Sequence, residues 1–265
     1  MVKFQHSLQT TLKSGIVSLL IFTGGCAGVS SYKIQKTIPK KDVPRTILFA
    51  GYVWRVKSGI EPIGPGPNYF SDSRDNVWVD KDGALHLKIT QREGKWFCAE
   101  IATEKSFGYA TYSFVLAKRD THFDKNAVLG FFTWDDTSSV FDHREIDIEF
   151  SLWSGEADKN TVYSVRPGQK WDNQYEFDMD LTEGVSTHSF DWRTGKVEFI
   201  SARGDSKFYP EKDKIINRWV YTGDVVEVPN QGSAKFRVNL WLFKGEPPSD
   251  GREVEVIIRD VSIKR

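Results

Sequence analysis

Apolar and polar residues alternate along most of this chain with a period of two, and no stretch holds the 3.6-residue period of an amphipathic helix for long. Ala84-Leu-His-Leu-Lys-Ile-Thr90 puts Leu85, Leu87 and Ile89 on one face, and Arg237-Val-Asn-Leu-Trp-Leu-Phe243 does the same with Val238, Leu240 and Leu242. Similar runs lie near 96–104, 109–118, 128–134, 145–152, 161–166, 187–192, 196–201 and 253–263. Asp82-Gly83, Thr194-Gly195 and Asp250-Gly251 supply the positive φ of tight connections, while Pro65, Pro67, Pro247 and Pro248 mark irregular loops. The best helical candidate is a short turn near Lys212–Trp219. Strands without crossover helices predict an all-β fold of antiparallel sheets packed as a sandwich or jelly roll.

The 36 basic and 36 acidic side chains cancel, which removes the electrostatic basis for binding nucleic acid. The balance is uneven along the chain: residues 1–45 carry Lys3, Lys13, Lys33, Lys36, Lys40, Lys41 and Arg45 against Asp42 alone, so the remainder is mildly acidic. Lys3 and Lys13 precede the apolar run Gly15–Phe22, too short for a bilayer that needs roughly 20 apolar residues, as in an export signal. Thr23-Gly24-Gly25-Cys26-Ala27 resembles the cleavage box of bacterial lipoprotein signals, although Thr23 stands where Leu is usual. The expected organisation is a signal peptide at 1–25, a lipidated Cys26 with a basic tether to residue 45, and a single catalytic domain over 46–265. The protein is then exported to a bacterial cell envelope and lipid-anchored in the outer membrane, or else periplasmic or secreted. With Cys26 lipidated, Cys98 has no partner for a disulfide.

Arg144-Glu-Ile-Asp-Ile-Glu-Phe150 carries the chemistry. Alternation sends Glu145, Asp147 and Glu149 to one face and Ile146, Ile148 and Phe150 to the other. Crowded carboxylates push one another's pKa values apart, leaving one protonated while a neighbour is ionised, as an acid and a nucleophile require at a glycosidic bond. Residues four apart on a strand lie about 13 Å apart, however, and a retaining glycosidase needs its carboxyl groups about 5 Å apart, so the strand must bend. An acidic solvated strand face or a cation site would give the same pattern. On Arg237–Phe243 the face away from the core carries Asn239, Trp241 and Phe243: either an amide among aromatics that suits a sugar, or a second apolar layer under a loop. His86, His122, His143 and His188 lack metal-ligand spacing; His143 lies two before Glu145 and would face substrate if the strand begins that early. Trp153 and Trp171 follow the carboxylate strand and either line a cleft or pack.

The segment Glu-Ile-Asp-Ile-Glu-Phe resembles the signature of glycoside hydrolase family 16 in its lichenase form. Asn76-Val77, Asp82–Lys88, Cys98–Ile101, Gly108-Tyr109, Gly130–Trp134, His188–Trp192 and Asn239–Trp241 resemble lichenase segments in the same order, covering roughly 68–263. The resemblance implies a curved, concanavalin A-like two-sheet jelly roll with a polysaccharide cleft on its concave face, acting as a monomer. It implies Glu145 as nucleophile, Glu149 as acid/base and Asp147 as the residue that tunes both, with no cofactor for the chemistry. Glu100, Trp134, Asn239, Trp241 and, more weakly, Asn76 would contact sugar. A structural calcium on the convex side would use Asp260 and the carbonyl of Gly83. Three departures stand out: Arg144 replaces the usual Asp before the nucleophile, Ala102 replaces a sugar-contacting Arg, and Phe70 replaces the disulfide partner of Cys98. The expected activity is retaining endo-hydrolysis of a β-1,3/1,4-glucan, with transglycosylation or catalytically silent glycan binding as alternatives.

Overall fold

The computed structural model describes residues 43–117, 123–167, 173–180, 182, 184–223 and 227–265. Cys26, most of the tether, His122 and Trp171 lie outside the described residues. Sixteen strands follow in chain order: β1 Thr46–Phe49, β2 Tyr52–Val56, β3 Tyr69–Phe70, β4 Val77–Val79, β5 Leu85–Arg92, β6 Lys95–Thr103, β7 Thr111–Leu116 and β8 Ala127–Trp134. After these come β9 Ile146–Phe150, β10 Thr161–Val165, β11 Gln174–Phe177, β12 Ser186–Arg193, β13 Lys196–Arg203, β14 Ile215–Tyr221, β15 Lys235–Leu242 and β16 Val254–Lys264.

One face of the sandwich runs β11-β10-β9-β8-β15-β6 and the other β5-β16-β7-β12-β13-β14, joined through the β5–β6 pairing into one curved, nearly closed jelly roll. All pairings are antiparallel except the short β3–β6 contact. Gly83, Gly195 and Gly251 take φ of 86°, 68° and 70°, the left-handed turns that their sequence context demands. Leu85, Leu87 and Ile89 are wholly buried, as are Ile146, Ile148 and Phe150. Each such side chain contributes about 1.5–3 kcal/mol on leaving water, so a one-residue slip of either strand is excluded and the opposite face is decided as well. Phe131 of β8 stacks on Phe114 of β7 across the two layers.

The expected helical turn at Lys212–Trp219 is corrected: only Lys212–Lys214 coils, as a 3₁₀ turn, and Ile215 onward is strand β14. Trp219 is drawn into the sheet by stacking on Phe199, ring centroids 5.3 Å apart. Arg45 donates to the carbonyls of Asp72 and Val77, so the folded body already holds the residue before β1. Cys98 is a free, buried thiol beside Phe70, its β3 partner, and burial pushes it up to about 12.

Candidate active site

The cleft lies over β15, β8 and β9, and two register rows build its floor. One row runs Glu100, Asn239, Gly130, Glu149, and the next Ala102, Arg237, Phe132, Asp147, Ser164, from β6 through β15 and β8 to β9, with Ser164 on β10. Directly opposed residues in such rows share a face. Gly130 is needed as an absent side chain: a Cβ there would sit 2.6 Å from Asn239 Oδ1 and 3.7 Å from Glu149 Oε1. The absent side chain lets the Asn239 amide lie against the β8 backbone beside Glu149, and both of those side chains line a cavity of about 510 Å³.

Glu145, Asp147 and Glu149 all line that cavity. Asp147 is nearly fully buried and its Oδ2 accepts a 2.5 Å hydrogen bond from Ser164 Oγ. Burial raises all three carboxyls; Asp147 and Glu149 add like charge to Glu145, and Asp147 does so to Glu149, which reaches about 8. A hydrogen bond between Glu145 and Asp147 raises the first and lowers the second. Three groups this close titrate as a set, and Glu149 is the one that keeps a proton at neutral pH.

Arg166, which follows β10, is the cation that faces this set. Its Nε lies 3.8 Å from Glu145 Oε2 and 3.9 Å from Asp147 Oδ2, and its backbone N–H donates to the Glu145 carbonyl. Sequence reasoning missed it, as it did Lys57, Phe132, Asp136 and Arg237. The signal for Arg237 was present, because Arg237, Asn239 and Trp241 alternate onto one face. Arg237 binds Glu100 Oε1 at 2.8 Å and Asp136 Oδ1 at 2.5 Å, and Lys57 Nζ binds Glu100 Oε2 at 2.8 Å. Ala102 is the register partner of Arg237, so a guanidinium faces the cleft from the adjacent strand.

Glu100, Trp134, Asn239 and Trp241 reach the cleft, and Trp153 joins them edge-on to Trp241, with ring centroids 6.3 Å apart. Asn239 Oδ1, Trp241 Nε1, Arg166 Nε and Arg237 Nε are buried without a hydrogen-bond partner in the protein, four polar atoms in one cleft. Asn76 is corrected: it is fully buried beneath β5, where its Nδ2 donates to the carbonyls of Lys88 and Phe97.

His143 and Arg144 are corrected for a common reason. The strand does not begin until Ile146; Phe141–Arg144 instead form a left-handed turn with φ of 54°, 43°, 63° and 58°. That conformation costs roughly 1–2 kcal/mol per residue. It turns Arg144 away from the cleft onto Asp135, at 2.8 Å, and Asn230. His143 stacks on Trp134, ring centroids 4.1 Å apart, and backs that indole instead of reaching sugar. Thr133 Oγ1 donates to the Arg144 carbonyl at 2.7 Å and completes the clamp on the backbone next to Glu145.

His86 pairs with Asp80 and Glu255, and His188 is buried among serines. Of the residues suggested for a calcium, Asp260 is engaged by an ammonium and supplies one carboxylate. Asp260 Oδ2 lies 3.4 Å from Lys207 Nζ, and one carboxylate facing an ammonium with one carbonyl falls short of the roughly six to eight oxygens the ion takes. Among the described residues no group of three or more His, Cys, Asp or Glu could hold a metal.

No protein-family model matches the chain, and no curated protein sequence does. Solved structures do match. A Bacillus licheniformis β-glucanase superposes with a TM-score of 0.58 at 18% identity, covering 85% of this chain and 100% of the other. The fold is that of the family 16 lichenases. A Bacteroides ovatus family 16 protein of a mixed-linkage glucan locus, solved with a G4G4G3G product, shares this lichenase-like fold at TM-score 0.58 and 18% identity, covering 79% of this chain and 94% of that one. So does a Mycobacterium tuberculosis antigen described as a pseudo β-1,3-glucanase, at 0.57 and 20%, covering 80% and 90%.

Proposed function

We propose that the chain is a retaining, endo-acting glycoside hydrolase of a neutral β-1,3/1,4-glucan, with Glu145 as nucleophile, Glu149 as acid/base and Asp147 between them. The observation that carries it is the three carboxyls lining one cleft beside Trp241 and Asn239, each of which brings an unsatisfied polar atom. Glu145 attacks the anomeric carbon while Glu149 gives its proton to the departing oxygen. Glu149 then takes a proton from water, whose oxygen displaces Glu145 from the sugar. Glu149, raised to about 8, holds that proton at neutral pH. Two neighbours with the fold are named as glucanases or carry a glucan product, which favours a glucan over other polymers.

A neutral polymer suits the charge. Lys57 and Arg237 are already committed to Glu100 and Asp136, and Arg166 faces Glu145 and Asp147, so a polyanion would meet a cleft whose cations are each offset by carboxyls. The silent-binder alternative drew on Arg144 and Ala102; Arg144 binds Asp135 and Asn230, and Arg237 stands opposite Ala102 with its guanidinium in the cleft. Export and a lipid anchor at Cys26 belong to this proposal and rest on the sequence; a wild type that takes up no fatty-acid label and migrates like Cys26→Ser would remove the anchor.

Product analysis on mixed-linkage β-glucan, laminarin, xyloglucan and agarose tests the function, with Glu145→Gln as blank. Discrete oligosaccharides from a β-glucan, first formed as the β-anomer and absent from the blank, are expected. Release that persists in the blank, or the α-anomer first, would overturn the assignment; chains longer than the substrate would mark a transglycosylase.

A further inference from the structure

Arg166 sits between two carboxylates without a hydrogen bond to either. Its Nε is 3.8 Å from Glu145 and 3.9 Å from Asp147, too far to donate and close enough for full charge attraction, and the atom is buried with no partner. It also borders the smaller cavity beyond Glu149, so it lies beside all three acids. Glu145 is faced by Asp147 and Glu149 from its own strand and by Arg166 from the end of β10. Asp142 of the left-handed turn acts on Arg166, and Asp136 beyond β8 is held by Arg237.

We propose that Arg166 is the positioning cation of this centre, keeping Glu145 available as an anion before attack and following the negative charge as it passes to Glu149. The role rests on the hydrolase reading above. In the first step the bond from Glu145 to the anomeric carbon forms, the glycosidic C–O bond breaks, and the Glu149 proton leaves with the departing oxygen. Glu145 changes from anion to neutral ester while Glu149 changes from acid to anion. One negative charge therefore moves along β9, and a guanidinium locked to one carboxylate would favour only one end of that path. Arg166, hydrogen-bonded to neither, attracts both. Without it, burial and mutual repulsion would raise the nucleophile further and disfavour its anion.

Arg166→Gln and Arg166→Lys decide the matter through two readouts. The first is carboxyl NMR of Glu145 across pH, assigned by its loss in Glu145→Gln and independent of any substrate. The second is the pH profile of kcat/KM on the polymer the wild type cleaves. In Arg166→Gln the Glu145 titration and both limbs of the profile should move to higher pH by roughly one to three units, since the lost cation had lowered both acids. Arg166→Lys should return most of the shift, which a packing role would not do. Arg166→Met, which fills similar space, replaces Gln if that variant does not fold. Unmoved titration and limbs in a folded neutral variant would overturn the role. If the wild type cleaves no polymer, the hydrolase reading fails alone and the NMR titration still judges Arg166.

Discussion

Two buried polar clusters, one between the sheets and one in the cleft, differ in whether their bonds are complete. Between the sheets, His188 accepts or donates to Ser186 Oγ at 2.9 Å and Ser201 Oγ at 2.7 Å, and Tyr163 O–H donates to Ser201 at 2.5 Å. In the cleft, four polar atoms lack partners, three carboxyls are raised and one cation serves them all. Low dielectric strengthens a completed network and penalises an incomplete one, so the first cluster builds the fold, while the second is incomplete until a ligand brings hydroxyls. The difference teaches where to look for chemistry: in buried groups left unsatisfied, not in buried polarity as such.

The contrast breaks most visibly at Glu149. Glu149→Gln should cut turnover of polysaccharide by roughly a hundredfold to ten-thousandfold and spare activated aryl glycosides, whose leaving groups need no proton; equal losses on both, measured as kcat, would deny it the acid role. The same variant should be the more stable protein. Glu149 holds its proton in the folded chain up to about 8, whereas the unfolded chain releases it near 4.5, so wild-type stability falls as pH rises through that window. Melting of Glu149→Gln should match wild type at pH 4 and exceed it at pH 8; a gap of constant size would contradict the raised acid.

In the satisfied cluster the signs reverse. His188→Leu strands the buried Ser186 and Ser201 hydroxyls and should cost about 1–3 kcal/mol in denaturant unfolding while kcat per folded molecule is kept. A loss of kcat without loss of stability would erase the distinction between the clusters. Gly130→Ala places its Cβ 2.6 Å from Asn239 Oδ1 and should raise KM several-fold, more than kcat falls. Asn239→Leu gives the smallest change in stability, near zero, because its buried Oδ1 has no partner to lose, while glycan affinity by calorimetry should drop about tenfold.

Much of this was legible in single strands. Alternation on 145–150 and 237–243 told which side chains share the cleft, because Ile146, Ile148, Val238 and Leu240 leave only one way to face. Pairing between strands was not legible. That Arg166 would meet Glu145, or that Arg237 would stand opposite Ala102, depends on which strands lie side by side, which a local pattern does not encode. Extrapolating the same alternation failed at His143, where φ is positive and the strand has not yet begun. Asn76 was misread because an amide that feeds backbone carbonyls looks, in sequence, like one that feeds a sugar.

The left-handed turn at Phe141–Arg144 carries four residues of ordinary chirality in a conformation that only glycine adopts freely. Selection for thermal robustness alone would therefore drift toward glycine at these positions, relieving the backbone and slackening the tether on Glu145. Four consecutive residues with side chains therefore give up some folding stability for stiffness in the backbone next to one carboxylate.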